Sequence, residues 1–197
     1  MKKNILFILI CCKISFSFAQ TSKAVFKVVP IITKQAFYLN GGARAMFGGK
    51  SREFLQVDIP PNTVEWYYSI TTAPQKSGPS NTNLTGQLVK LLVPDIGIAS
   101  TVVSSIIAPS GSGACDVFLM TNPNEVNKFL AKQPFNGVIG RDSRENYISG
   151  VVQIKDLLAG SCFLTLRNPS GMDGINVTIE VTAIVKELAD GGNTAMQ

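Results

Sequence analysis

The 197-residue sequence contains no histidine. That absence removes Ser-His-Asp and Cys-His nucleophilic catalysis, His-ligated zinc and the histidine general base. Cysteine is scarce too, with four in the chain. Cys11 and Cys12 fall in an N-terminal apolar run, and the remaining pair, Cys115 and Cys162, is too small a set for a Cys₄ zinc or iron–sulfur site. Charged residues make up only 16%, and no run of Lys or Arg exceeds a pair, so a basic nucleic-acid-binding stripe is not indicated. A phosphate-binding P-loop is missing as well. Gly48-Gly49-Lys50-Ser51 has the right ending but lacks the earlier glycine and the following helical pattern, and reads as a turn between strands. No apolar stretch reaches the roughly 20 residues of a transmembrane helix.

What is present begins with an export signal. Lys2 and Lys3 form a positive start, Ile5 to Cys12 is apolar, and Ser17-Phe18-Ala19 places small residues before a cleavage point. Residues 1–19 are therefore expected to be a signal peptide, and the chain is expected to be exported: periplasmic, outer-surface-associated or secreted. Ile10 and Cys11 stand where a lipobox wants a small residue, which argues against lipidation. The leader also carries Lys2, Lys3 and Lys13, three of the 18 basic residues. Without them 15 basic residues face 13 acidic ones, a net of +2 where the whole chain has +5.

The rest reads as strands and turns. Glu53 to Ile59 alternates, with Phe54, Gln56 and Asp58 on one face and Leu55, Val57 and Ile59 on the other. Pro60-Pro61-Asn62 then forces a turn, because proline fixes φ and has no N–H to donate. Val64 to Thr71 alternates again, as a half-buried antiparallel strand. Further strands are expected at 24–32 (broken at Pro30), 37–47, 115–121, 147–154, 162–168 and 175–185, and a helix at 125–131. Such a series predicts one all-β domain over 20–189, an antiparallel, jelly-roll-like β-sandwich. Residues 190–197 read as a flexible tail.

The segment 84–113 stands apart as an apolar insertion. Leu84 to Leu92 suits a short helix, and Ile96 to Ala108 carries no charge. Either it is buried against one end of the sandwich, or Ile96, Ile98, Val102, Val103, Ile106 and Ile107 form an exposed contact for a partner or lipid surface.

Candidate chemistry is thin. Cys115 and Cys162 each begin a strand after a glycine-containing turn. In an oxidising compartment they suggest a disulfide, provided their Cα atoms approach within roughly 4.4–6.8 Å; two buried free thiols are the alternative. Tyr67, expected beside Glu65 on the face opposite the core, is the candidate for stacking against a sugar. Glu65 and Glu180 are the available carboxylates for a glycosidase. No cofactor is implied, although Asp142, Glu145 and Asp173 offer oxygen ligands to calcium on sandwich loops.

Three segments resemble a known group. Phe54 to Ser69 (FLQVDIPPNTVEWYYS), Asp116 to Leu119 (DVFL) and Leu158 to Ser170 (LAGSCFLTLRNPS) are similar to the strand pair, aspartate-led strand and glycine–strand–Asn-Ser turn of GOLD-like β-sandwiches. Bacterial pre-peptidase C-terminal domains share the same rhythm. The likeness spans about Glu53 to Val185, with 84–113 as an insertion. It implies a jelly-roll-like sandwich used for adhesion, cargo or partner binding, and brings no catalytic residues. The sequence thus predicts a non-enzymatic binding or structural protein that engages a protein or cell-envelope component, with a carbohydrate-binding module or a glycoside-acting enzyme as alternatives.

Overall fold

A computed structural model describes residues 24–74, 83–94, 96, 106–108 and 110–188. The expected leader, the tail, and Ile98, Val102 and Val103 lie outside the described residues. Eight strands form two four-stranded antiparallel sheets: β1 (Ala24–Leu39), β8 (Ile175–Leu188), β3 (Thr63–Pro74) and β6 (Ser149–Ile154) in that order, and β2 (Arg52–Ile59), β7 (Gly160–Arg167), β4 (Cys115–Met120) and β5 (Arg144–Tyr147). The pairings β4–β5, β3–β6, β2–β7 and β1–β8 nest inside one another. The chain is one long hairpin rolled over on itself, which is the jelly-roll sandwich.

The alternation in the sequence is what builds the core. Leu55, Val57 and Ile59 of β2 point inward and meet Trp66, Tyr68 and Ile70 of β3, together with Leu164, Leu166, Val177, Ile179 and Val181. The two core aromatics keep their polar tips satisfied. Trp66 Nε1 donates to the Leu157 carbonyl at 2.7 Å, and Tyr68 OH donates to the Asp142 carbonyl at 2.7 Å. At the β2–β3 turn, Asn62 adopts φ +60°, a left-handed conformation that asparagine tolerates.

Several boundaries differ from the sequence reading. Pro30 does not end its strand. β1 lies at a sheet edge, where a missing N–H costs little, and a bulge after Pro30 absorbs the irregularity. The expected strand over 37–47 is the end of β1 followed by a short helix, α1 (Gly42–Ala45). The expected strand 147–154 splits at Ile148, and the chain crosses there from one sheet to the other.

Each sheet carries a helix on its outer face. Helix α2 (Leu84–Leu91) lays Leu84 and Leu88 over Tyr67 and Ile184 of the first sheet. Helix α3 (Pro123–Leu130) lays Val126 and Phe129 over Phe118 and Met120 of the second. Asn83 and Asn122 cap the two helices, accepting from the amides of Gly86 and Asn124. No helix among the described residues is long and apolar enough to cross a membrane.

The expected disulfide is not formed: Cys115 and Cys162 are buried free thiols. Strands β4 and β7 are neighbours, but they are antiparallel, so their first residues lie at opposite ends of the ladder. With Asp116 opposite Arg167 and Met120 opposite Phe163, the two cysteines are offset by about six residues, roughly 20 Å. That is far beyond disulfide reach. Burial pushes the Cys162 thiol up to about 12 and raises Cys115 as well.

Candidate functional site

Helix α2 decides the fate of the candidates on the first sheet. Tyr67 does face away from the core, as alternation requires, but α2 covers that face and Tyr67 is fully buried. It therefore offers no surface for stacking a sugar. Its hydroxyl accepts from Gln153 Nε2 at 3.0 Å, and the same amide donates to Glu65 Oε2 at 2.5 Å. Burial, reinforced by the Glu65 carboxylate, raises the Tyr67 phenol. Glu180 is buried too and accepts from the Leu84 amide at 2.7 Å, fastening the start of α2 to the sheet. Glu65 stands opposite Ile184 and Glu180 opposite Ser69. The two carboxylate-bearing residues are thus four positions apart along the ladder, roughly 14 Å. Glycoside hydrolysis uses carboxyl groups about 5–9.5 Å apart.

The other proposed positions are dispersed. Ile106 is buried against Tyr67, Leu84 and Leu88, while Ile96 and Ile107 are exposed. Among the described residues, no group of three or more Asp, Glu, Cys or His is gathered to hold a metal ion. Asp142 is buried, whereas Glu145 on β5 and Asp173 in the β7–β8 loop are exposed.

A different set of residues converges at the end of the sandwich where β2 begins and β7 finishes. Arg52 and Arg167 are direct cross-strand partners, and Arg167 in turn stands opposite Asp116 on β4. The outer face of this sheet therefore carries a row of Arg52, Arg167 and Asp116. Asp116 binds Arg167 through Nε at 2.7 Å and a terminal nitrogen at 2.6 Å, and accepts from the Asn146 amide at 2.8 Å. Arg52 receives no carboxylate among the described residues. Its guanidinium lies 4.9 Å from the centre of the Phe129 ring and donates to the Phe129 carbonyl at the end of α3. Burial, and secondarily the charge of Arg167, lower its pKa from the ordinary arginine value.

Two adjoining clefts open onto this row. One, about 330 Å³, is lined by Arg52, Lys132, Arg167 and residues 168–171. The other, about 530 Å³, runs between the Gly48-Gly49 turn, Phe54, Leu130 and Lys132. Ser51, Arg52 and Lys132 line both. The walls are held by backbone bonds: the Asn168 amide donates to the Ser51 carbonyl at 3.0 Å, and the Asn40 amide to Lys50 at 2.7 Å. The Gly-Gly turn expected between strands is thus a wall of the cleft, with Gly48 at φ +90°. Lys50 pairs with Glu53, leaving Arg52 and Lys132 as the cations not paired to a described carboxylate.

Elsewhere the polar surface is better balanced. A depression of about 310 Å³ between Arg141, Arg144 and Lys155 has its charge offset by ion pairs of Arg141 with Asp142 and Asp156. On the uncovered part of the second sheet, Phe54 and Phe163 pack with ring centres 6.1 Å apart, next to a polar group. There Asp58 accepts from Ser161 at 2.6 Å and Gln56 at 2.8 Å, which hold its carboxyl below the ordinary value.

Nothing in the sequence singled out Arg52, Lys132 or Arg167, because each is an isolated basic residue. Only the pairing of β2 with β7, and the return of α3 across them, brings the three together. Compared with models of known protein families and with curated proteins, the sequence finds no match.

Proposed function

We propose that the chain is an exported, non-enzymatic binding domain that engages an anionic protein or envelope component through the cleft around Arg52, Lys132 and Arg167. The observation that carries this is the cross-strand pairing of Arg52 with Arg167 at the cleft wall. Like charges set directly opposite each other in a sheet destabilise it, and Asp116 neutralises only Arg167. A partly buried cation beside a second one is a standing demand for a negative ligand. The flanking loops, tied to one another by backbone bonds, supply a rigid frame. The test is a titration with a sulfated hexasaccharide as anionic probe, followed by calorimetry at two salt concentrations. Binding that weakens in salt and is lost in Arg52→Met and in Lys132→Met supports the proposal; binding unchanged in both variants refutes it.

A second reading has its own observation. Phe54 and Phe163, with Gln56 and Asp58 in the same exposed patch, combine an aromatic surface with hydrogen-bonding groups suited to a neutral sugar. It shifts the carbohydrate-binding alternative away from the buried Tyr67. A neutral oligosaccharide array read with Phe54→Ala tests it, and no hit in the parent protein removes it.

A further inference from the structure

The same end of the sandwich carries large apolar side chains that project into solvent. Met46 is 83% exposed, Phe47 92% and Met172 79%. Met46 and Phe47 follow α1 in the β1–β2 loop, and Met172 lies in the β7–β8 loop. The two loops are interlocked. The Gly42 amide donates to the Ser170 carbonyl at 2.9 Å, and the Ala43 amide to Gly171 at 2.7 Å. A Cβ on Gly41 would sit 2.5 Å from the Met172 carbonyl carbon, so only glycine allows this approach. The exposed turn is also closed on itself: Phe47 and Gly49 both donate to the Arg44 carbonyl, at 3.1 and 3.0 Å. The apolar tips are therefore presented by a fixed scaffold and are not frayed ends.

Around these tips stand Arg44, Arg52, Lys132 and Lys50, with Glu53 and Asp116 already engaged by Lys50 and Arg167, and Asp173 the remaining carboxylate. A stable protein interface has a close-packed centre depleted of charge. Here the apolar groups protrude from separate turns with cations beside them. Protruding Met and Phe with a basic surround match the boundary between lipid headgroups and acyl chains, where apolar tips insert and Lys or Arg meet phosphates. Resting on the proposal that this end binds anions, we infer that it docks on an anionic lipid surface, with Met46, Phe47 and Met172 entering the interface and Arg44, Arg52 and Lys132 contacting headgroup phosphates.

The test is co-sedimentation of the protein, as recovered from cells after export, with vesicles of phosphatidylcholine alone or containing phosphatidylglycerol. The protein is expected to partition onto the anionic vesicles and to be released by salt. Met46→Ser/Phe47→Ser should weaken partitioning by at least tenfold, given the free energy of burying such side chains. Arg44→Gln and Lys132→Gln should weaken it about fivefold each. The apolar tips make no core contact, so each variant should melt with the parent, and a leader retained in the sample would be common to all. Partitioning unchanged in the Met46/Phe47 variant overturns the inference. No partitioning onto anionic vesicles while the sulfated probe still occupies the cleft overturns it too, but leaves the anion-binding proposal standing and assigns the end to a soluble or protein partner. Failure of both probes removes both.

Discussion

The row Arg52–Arg167–Asp116 yields a contrast that stability measurements can resolve. Asp116 is almost completely buried; its Oδ2 accepts from two nitrogens of Arg167, and its Oδ1 accepts from the Asn146 amide. Removing one partner of a buried pair costs about 3–5 kcal/mol. The Arg167 side chain is 33% exposed, so water recovers part of this. Asp116→Asn should then cost about 2–3 kcal/mol, a drop in Tm on the order of 5–10 °C for a chain of this size. Arg52→Met should behave differently. It gives up a cation–π contact of roughly 0.5–1 kcal/mol and a bond to a carbonyl that already accepts from Lys132. It gains relief from a like-charged cross-strand neighbour, worth up to about 1 kcal/mol, and the methionine stem still packs on Phe129. The net change should stay within about 1 kcal/mol. In the double variant, losing Arg52 should be less costly than in the parent, because Arg167 then has no counter-charge. Urea unfolding of the four proteins measures all of this. If Arg52→Met destabilises as much as Asp116→Asn, Arg52 is a structural support and no longer a cation held for a ligand.

Other outcomes follow from the same contacts. Both thiols should resist alkylation in the native protein near pH 8 and react fully once it is unfolded; an intact mass showing a bridge would contradict the β4–β7 register. Because burial raises the Cys162 thiol to about 12 from an ordinary 9, its contribution to stability is complete below about pH 9. It declines as pH rises towards 12, a slope that Cys162→Ala should reduce in alkaline denaturation. Ser69 Oγ is the one buried side-chain polar atom without a partner among the described residues. Ser69→Ala should therefore leave Tm unchanged or raise it, with about 1 kcal/mol gained, and a clear fall in Tm would show an overlooked bond. Lys128 and the Asn136 amide hold the Glu125 carboxyl below its ordinary value. The native state is favoured above that ordinary value and loses the contribution as pH falls. Carboxyl NMR should give a low midpoint, with the Asn136 amide moving in step.

The sandwich was legible because alternation and turn chemistry point the same way. Leu55, Val57 and Ile59 share one face as read, the face that turns inward, and Pro60-Pro61-Asn62 turns the chain as read. What alternation cannot tell is whether the outward face meets water or a helix. Glu65, Tyr67, Ser69, Glu180 and Thr182 look solvent-facing on that rule, yet all five are buried: α2 packs over Tyr67 and bonds Thr182 through Thr85 at 2.8 Å and Glu180 through the Leu84 amide. The disulfide expectation failed on direction. Two strand starts adjacent in an antiparallel pair are at opposite ends, and spacing along the chain carries no sign of that. The basic cleft was not legible either, since Arg52 and Arg167 are far apart in sequence and meet only through β2–β7 register.

The central claim, that the end bearing Arg52, Lys132 and Arg167 is an anion-binding surface, is tested most directly by amide chemical-shift mapping with the sulfated hexasaccharide. The expected result is a set of salt-sensitive shifts confined to residues 42–52, 130–132 and 167–171. Shifts confined to the face around Gln56, Asp58 and Ser161, or the absence of any shift at the cleft at saturating probe, would contradict it.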